Sequence, residues 1–423
     1  MREDFLHYLW KHKKINPTNL STSLDEAISI ISVGTHNLNS GPDFFNAQLR
    51  IDNQLWAGNV EIHIKSSDWY VHKHETDSAY DNVILHVVWE HDTDIYREDN
   101  SVIPTLQLKD VIDTGMLLNY KRLFNASKTW INCENDFASV SDFTVSNWLE
   151  RLYVERLEEK SLLIQELLAS SNNDWEAVLF KMLAKNFGLK VNGESFLSLA
   201  QSFDFKVLRK LKSNPEDIEA LFFGQTGLLI KEHQDDYHSK LEEQYSFLVS
   251  KFKLDNAGVL PLKFFRLRPS NFPTIRLSQL ASLYATKDNL FSNIINLNTK
   301  DDFYKVFNVS ALHYWNTHYS FGKTSKASQK ILSRSFINLL IVNTIIPLKF
   351  CYSKSQGKSI EDDIINLIKQ LPLEQNSIVK RFNHIKPLGK SALESQSLLQ
   401  LKTQYCNKHN CLKCAIGNSL ING

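Results

Sequence analysis

Asp43, Glu61, His63 and Lys65 are the residues whose types and spacing point most directly to chemistry. In NVEIHIK, residues 59 to 65, polar side chains recur at every second position. A strand would therefore place Val60, Ile62 and Ile64 on one face and Glu61, His63 and Lys65 on the other. Asp43 follows Gly41-Pro42 at the start of the preceding apolar run, and a hairpin would set its carboxylate beside Glu61. Two carboxylates forced together bind a hard divalent cation, Mg²⁺ or Mn²⁺, which relieves their repulsion and can activate a water. The competing reading is the polar, solvated face of an ordinary sheet.

This layout resembles the PD-(D/E)XK nuclease core. Pro42-Asp43 would lead into one strand, and Glu61-Ile62-His63 would take the place of the acidic-x-Lys triplet on the next. The resemblance implies Mg²⁺-dependent phosphodiester hydrolysis, with Asp43 and Glu61 binding the metal. His63 stands where a lysine is usual. Either Lys65 supplies the charge from one step along the same face, or His63 acts as a base with a pKa near neutrality.

A second constellation lies just downstream. His72 and His74 form an H-x-H pair on an extended segment, Asp77 follows, and His86 is the lone polar residue inside the apolar run NVILHVV. With His63 they would make a zinc or transition-metal site, and hence a different metal hydrolase. A single histidine in an apolar strand is otherwise an ordinary hydrogen-bonded core residue. Taken together, GPDFFNA, GNVEIH, DWYVHKH and YDNVILHVVWEHD resemble a bacterial family known as a domain of unknown function. That resemblance extends through the helical region towards the terminal cysteines and implies no activity or cofactor.

The C-terminal stretch QYCNKHNCLKCAIGNSLING contains Cys406-x4-Cys411-x2-Cys414. Thiolates at this spacing converge on one Zn²⁺ or on an iron-sulfur cluster. Cys133, in WINCEN, is the first choice as fourth ligand and His409 the second; the alternative is a set of unliganded thiols. Cys351, flanked by apolar residues, reads as a buried small hydrophobe. In KFFRLRPSNFPTIRLSQLA, Arg266, Arg268 and Arg276 alternate with phenylalanines, a pattern that grips phosphates and stacks bases of a nucleic acid. The same residues would also serve as aromatic anchors of a loop, with arginines paired to acids.

The elements that must position these groups divide the chain in three. Residues 1–135 read as a mixed α/β, nuclease-like module, with a helix at 4–12 and strands at 44–51, 55–65 and 82–90. The turn IDNQ predicts a hairpin, and NVILHVVWE predicts a central strand covered on both faces. Residues 136–400 read as mainly helical. They open with a long amphipathic helix capped at Ser141 or Thr144, followed by helices near 174–187, 194–211, 215–223, 239–252, 277–286, 327–346 and 359–371. Residues 401–423 form a Cys-rich segment. The fold class expected is α+β.

With 48 basic and 47 acidic residues among 423, the net charge of +1 gives no global field towards nucleic acid or anionic membrane. Any such binding rests on a local patch. The N-terminus does not read as a signal peptide. The longest apolar run, at 336–348, is interrupted by Asn338 and Asn343, so a cytoplasmic protein with no membrane partner is expected. Five scattered cysteines do not make a disulfide framework. The function expected is a metal-dependent nuclease. The alternatives are a non-catalytic nucleic-acid- or protein-binding protein with a structural metal, and a histidine-centred metal hydrolase.

Overall fold

In the computed structural model, which describes residues 1–125, 129–230, 234–359 and 361–423, helix α1 (Glu3–Lys11) precedes a six-stranded sheet. Its strands are β1 (Ile28–Ser32), β2 (Thr35–His36), β3 (Phe44–Ile51), β4 (Gln54–Lys65), β5 (Val83–Glu90) and β6 (Thr105–Gln107). They run in the order β1-β3-β4-β5-β6, with β2 beside β3. The β1–β3 and β3–β4 pairs are antiparallel, whereas β4–β5 and β5–β6 are parallel.

The predicted hairpin forms where the IDNQ turn stands. Ile51 pairs with Gln54, and Asp52 takes the left-handed φ of +49° that a two-residue turn needs. Phe44 lies opposite Val60, and this register brings Asp43 to Glu61. Phe45 and Asn46 together face the single Asn59, a β-bulge in which Asn46 has φ +57° and its N–H reaches Asn59 Oδ1 at 3.4 Å. A bulge bends its strand and re-aims the residues beside it. Here it lies three residues after Asp43.

The predicted central strand is β5, where Val83 to Val88 are all buried between β4 and β6. Gly58 lets β4 and the start of β5 approach closely. A Cβ there would sit 2.5 Å from Ile84 Cγ2 and 2.6 Å from the Asn82 carbonyl. Between these parallel strands the chain forms the single-turn helix α2 (Asp68–Val71) and two 3₁₀ turns, His74–Thr76 and Ser78–Tyr80.

The domain boundaries differ from those expected. One compact unit is Met1–Trp148 with Leu401–Gly423, and the other is Leu149–Gln400. The Cys-rich segment is thus part of the α/β unit. Its last helix, Ala415–Asn422, packs on α3 (Thr114–Phe124), where Asn119 Nδ2 donates to the Ile421 carbonyl at 3.4 Å, and reaches α1, where Asn422 Nδ2 donates to Tyr8 Oη at 3.0 Å.

The boundary between units falls within α4 (Asp142–Ser170), whose start is capped by Ser141 Oγ accepting the Thr144 N–H at 3.1 Å. The helical unit is built on a core that includes Phe180, Phe187, Phe196, Phe222, Tyr284 and Trp315. The helix expected at 194–211 is two, Leu189–Gln201 and Phe205–Leu211, because Asp204 starts a new one by accepting the Lys206 N–H at 2.8 Å.

The helix expected at 327–346 begins instead at Arg334, capped by Ser333, and continues through Pro347 to Ser355. Proline has no N–H to offer the Asn343 carbonyl. The chain takes a π turn at Ile341–Ile345, and that carbonyl accepts from Asn186 Nδ2 at 3.4 Å. Among the described residues this is the one helix long and apolar enough to cross a membrane, with a mean hydropathy of 1.5, yet 72% of its apolar window is buried inside the protein. Its burial is that of a core helix.

Candidate active site

The polar face of β4 is not a solvated surface. Glu61 is 5% exposed and His63 2%, and groups from three other parts of the α/β unit close over them. Asp43 arrives from the mouth of β3. Its N–H donates to Glu61 Oε2 at 3.1 Å, while its own Oδ2 accepts the Ile62 N–H at 3.0 Å. Each carboxylate is thus held by the backbone of the other strand. From α1, His7 Nε2 lies 3.2 Å from Asp43 Oδ2.

His72 and His74 come from the connection after α2. Their H-x-H pair is a turn rather than the extended segment expected, because Lys73 between them adopts a φ of +62°. That kink delivers both rings to the same place. His63 Nε2 is 3.0 Å from His72 Nδ1 and 3.5 Å from Glu61 Oε1, and His74 Nε2 is 3.5 Å from the same oxygen. The donor atoms of His63, His72 and His74 all lie within 4.8 Å of one another. His86 does not join the trio; its Nε2 sits 2.8 Å from His63 Nδ1, on the other side of that ring. Tyr80 stacks on His74 with centroids 3.8 Å apart, and Trp69 sets its edge against His74 and His86. Asp77 instead caps the following turn through the Ala79 N–H.

Burial, and then the charge of Asp43, pushes Glu61 up to about 9. Burial, and then His72 and His74, pushes His63 down to about 4. Burial also lowers His74 and holds His86 well below its usual range. Neutral imidazole is the ligating form, and a cation would reverse the penalty on an ionised Glu61. His74 Nε2 is buried without a hydrogen bond, an orphan of the kind an ion or water satisfies. A tetrahedral ion with bonds of about 2.0–2.1 Å spaces its donors about 3.4 Å apart, close to the 3.0 Å between His63 Nε2 and His72 Nδ1. Three imidazoles beside two carboxylates suit zinc or another transition metal better than Mg²⁺, which prefers an octahedron of oxygens.

Lys65 is exposed at the end of β4, where its charge acts on Asp92 rather than on the cluster. Arg266 and Arg268 are exposed in the helical unit. Arg276 is 7% exposed, its guanidinium 3.6 Å from the Phe336 ring centroid and hydrogen-bonded to Gln279 and Asn271. It packs within its own unit on neutral partners rather than on the acids that the loop-anchor reading expected. Cys351 is buried in the same unit.

Cys133, Cys406, Cys411 and Cys414 line one cavity together with Leu123, Phe137, Leu401 and Ile416. His409, the other candidate ligand, is exposed and tied to Asn132 Oδ1 at 3.1 Å. Burial pushes all four thiols up, Cys411 to about 12. His7, Tyr80 and Trp69 were not singled out by sequence reasoning. His7 sits on a helix whose only legible signal was its apolar stripe.

No curated protein and no solved structure matches this chain. A family model, DUF2851, described as a protein of unknown function, matches residues 3–377. That range includes Asp43 through His86 and Cys133, and ends before Cys406. With most of its length matched, the chain belongs to the DUF2851 family.

Proposed function

We propose that this protein is a metal-dependent hydrolase of phosphodiester bonds, centred on His63, His72, His74 and Glu61. The observation that carries the reading is the convergence of the three imidazole donors within 4.8 Å beside a buried carboxylate pair. A divalent transition-metal ion there supplies Lewis acidity towards a phosphoryl oxygen and lowers the pKa of a water.

The chain's own groups then divide the work. His63, His72 and His74 would hold the ion. For His63 to offer Nε2, its Nδ1 must carry the proton and donate it to His86 Nε2, so His86 fixes the tautomer. Glu61 Oε1, 3.5 Å from both His63 and His74, would receive the proton of the attacking water once a bound cation has drawn the carboxyl into its ionised form. His7 and the Ile62 N–H hold Asp43 in place. His72 is exposed and marks the side on which substrate enters.

One feature favours a phosphodiester: the spacing of Pro42-Asp43 and Glu61 resembles that of a nuclease core. Free thiols at all five cysteines favour a reducing, cytoplasmic setting. The test is cleavage of single- and double-stranded DNA and RNA with Mn²⁺, Zn²⁺ or Mg²⁺. Wild type should cut at least one substrate; Glu61→Gln should bind the ion but lose cleavage about 100-fold or more, and His74→Ala should lose the ion as well. Wild-type protein that cuts none of these substrates with any of the three ions sinks the proposal.

A further inference from the structure

We propose that Cys133, Cys406, Cys411 and Cys414 hold an iron-sulfur cluster that clasps the C-terminal segment to the α/β unit. Four thiols from two stretches of chain remote in sequence surround one cavity, whose other walls include Leu123, Phe137, Leu401 and Ile416. None of them is in a disulfide. A set of four soft ligands around a space that has little else polar to offer is a site for a thiophilic metal centre.

The local backbone is shaped to bring the sulfurs in. Cys411 and Cys414 flank a single 3₁₀ turn, and the N–H groups of Ile416 and Gly417 are directed at the Cys414 sulfur, as donors to a thiolate are. Gly417 is required by close approach: a Cβ there would lie 2.2 Å from the Cys411 carbonyl oxygen. His409 turns the chain between Cys406 and Cys411 with a φ of +54° and is itself held by Asn132, the residue before Cys133. The fourth position thus falls to Cys133.

The sulfurs are not preset for a single ion. A single zinc, bonded at about 2.3 Å, draws its thiolates to within about 3.8 Å of one another. Among the described residues, the group of three donors that closes to within 4.8 Å is the histidine trio, and no three of these sulfurs do so. A cluster, with several irons and sulfides between its thiolates, needs a wider ring of sulfurs than one ion does. The turn at Cys411 also packs against α1, the helix whose His7 reaches Asp43. The cluster therefore has a positioning role within its unit.

The test uses the full chain isolated without oxygen, or reconstituted with ferrous iron and sulfide. Iron, acid-labile sulfide and zinc are measured, and the visible absorption spectrum is recorded. About four irons and four sulfides per chain are expected, with a broad visible absorption that is lost in Cys133→Ser and Cys411→Ser, reduced in Gly417→Ala and kept in Cys351→Ser. A colourless protein carrying one zinc on these thiols overturns the proposal. So does a protein that takes up no metal while all four thiols react under native conditions. The wild-type measurement decides even where a serine variant fails to fold. Because cluster content is read without any cleavage assay, its failure leaves the hydrolase reading standing, and the reverse also holds.

Discussion

Replacing Glu61 by glutamine should make the metal-free protein more stable at neutral pH, although the residue is central to the proposed reaction. Glu61 is buried beside Asp43 and titrates near 9 in the folded chain, against 4.5 when it is exposed. A carboxyl with a raised folded pKa contributes stability that is fully present below about 4.5 and is lost as pH rises towards about 9, because the unfolded chain gives up its proton first. The loss is about 1.4 kcal/mol per pH unit. At pH 7, some 2.5 units above the unfolded value, it reaches about 3 kcal/mol.

Glutamine carries no such penalty. Its carbonyl can still accept the Asp43 N–H, and its amide can donate to the otherwise unpaired His74 Nε2. Urea denaturation in chelator, followed by tryptophan fluorescence and circular dichroism from pH 5 to 8, should therefore show Glu61→Gln gaining on wild type as pH rises. Adding Zn²⁺ or Mn²⁺ should narrow that gap, because the ion rewards the ionised carboxylate. A variant no more stable than wild type at pH 7, or a difference that does not grow with pH, refutes the electrostatic account of the site.

Other consequences are as direct. His86→Phe should keep the fold but weaken metal binding 10- to 100-fold by calorimetry, since only the support of the His63 ring is lost. Gly58→Val, which drives side-chain atoms into Ile84 and the Asn82 carbonyl, should cost about 2 kcal/mol or more in denaturation and separate β4 from β5. In the helical unit, fully buried Glu219, raised to about 7 by its burial, accepts from Tyr237 Oη and Trp315 Nε1. Wild type should lose about 3 kcal/mol between pH 4.5 and 7 on its account, and Glu219→Gln should flatten that slope in thermal melts.

The sheet was legible because its signals are local. Alternation along NVEIHIK, the IDNQ turn and the apolar run of β5 all reflect period and turn chemistry, and the hairpin they predict carries Asp43 to Glu61. Alternation separates two faces without saying what covers either, so a solvated face and a buried site read alike until α2 and its following turns are placed. The H-x-H pair was visible, but its convergence depends on a left-handed Lys73 that no periodicity announces. His7 reaches Asp43 only through the packing of α1. In the same way, KFFRLRPSNF declares cations and rings, while the inward turn of Arg276 is decided by Phe336, far along the chain.

The α/β unit is discontinuous, made of Met1–Trp148 and Leu401–Gly423 with the helical unit's 149–400 between them. During synthesis, the strands bearing Asp43 and Glu61 leave the ribosome long before the segment that packs on α3 and supplies three of the four clustered thiols. The helical unit is complete first. The α/β unit therefore closes only once residues 401–423 are added, and a protein truncated before residue 401 would carry every proposed catalytic side chain without the segment that finishes their unit.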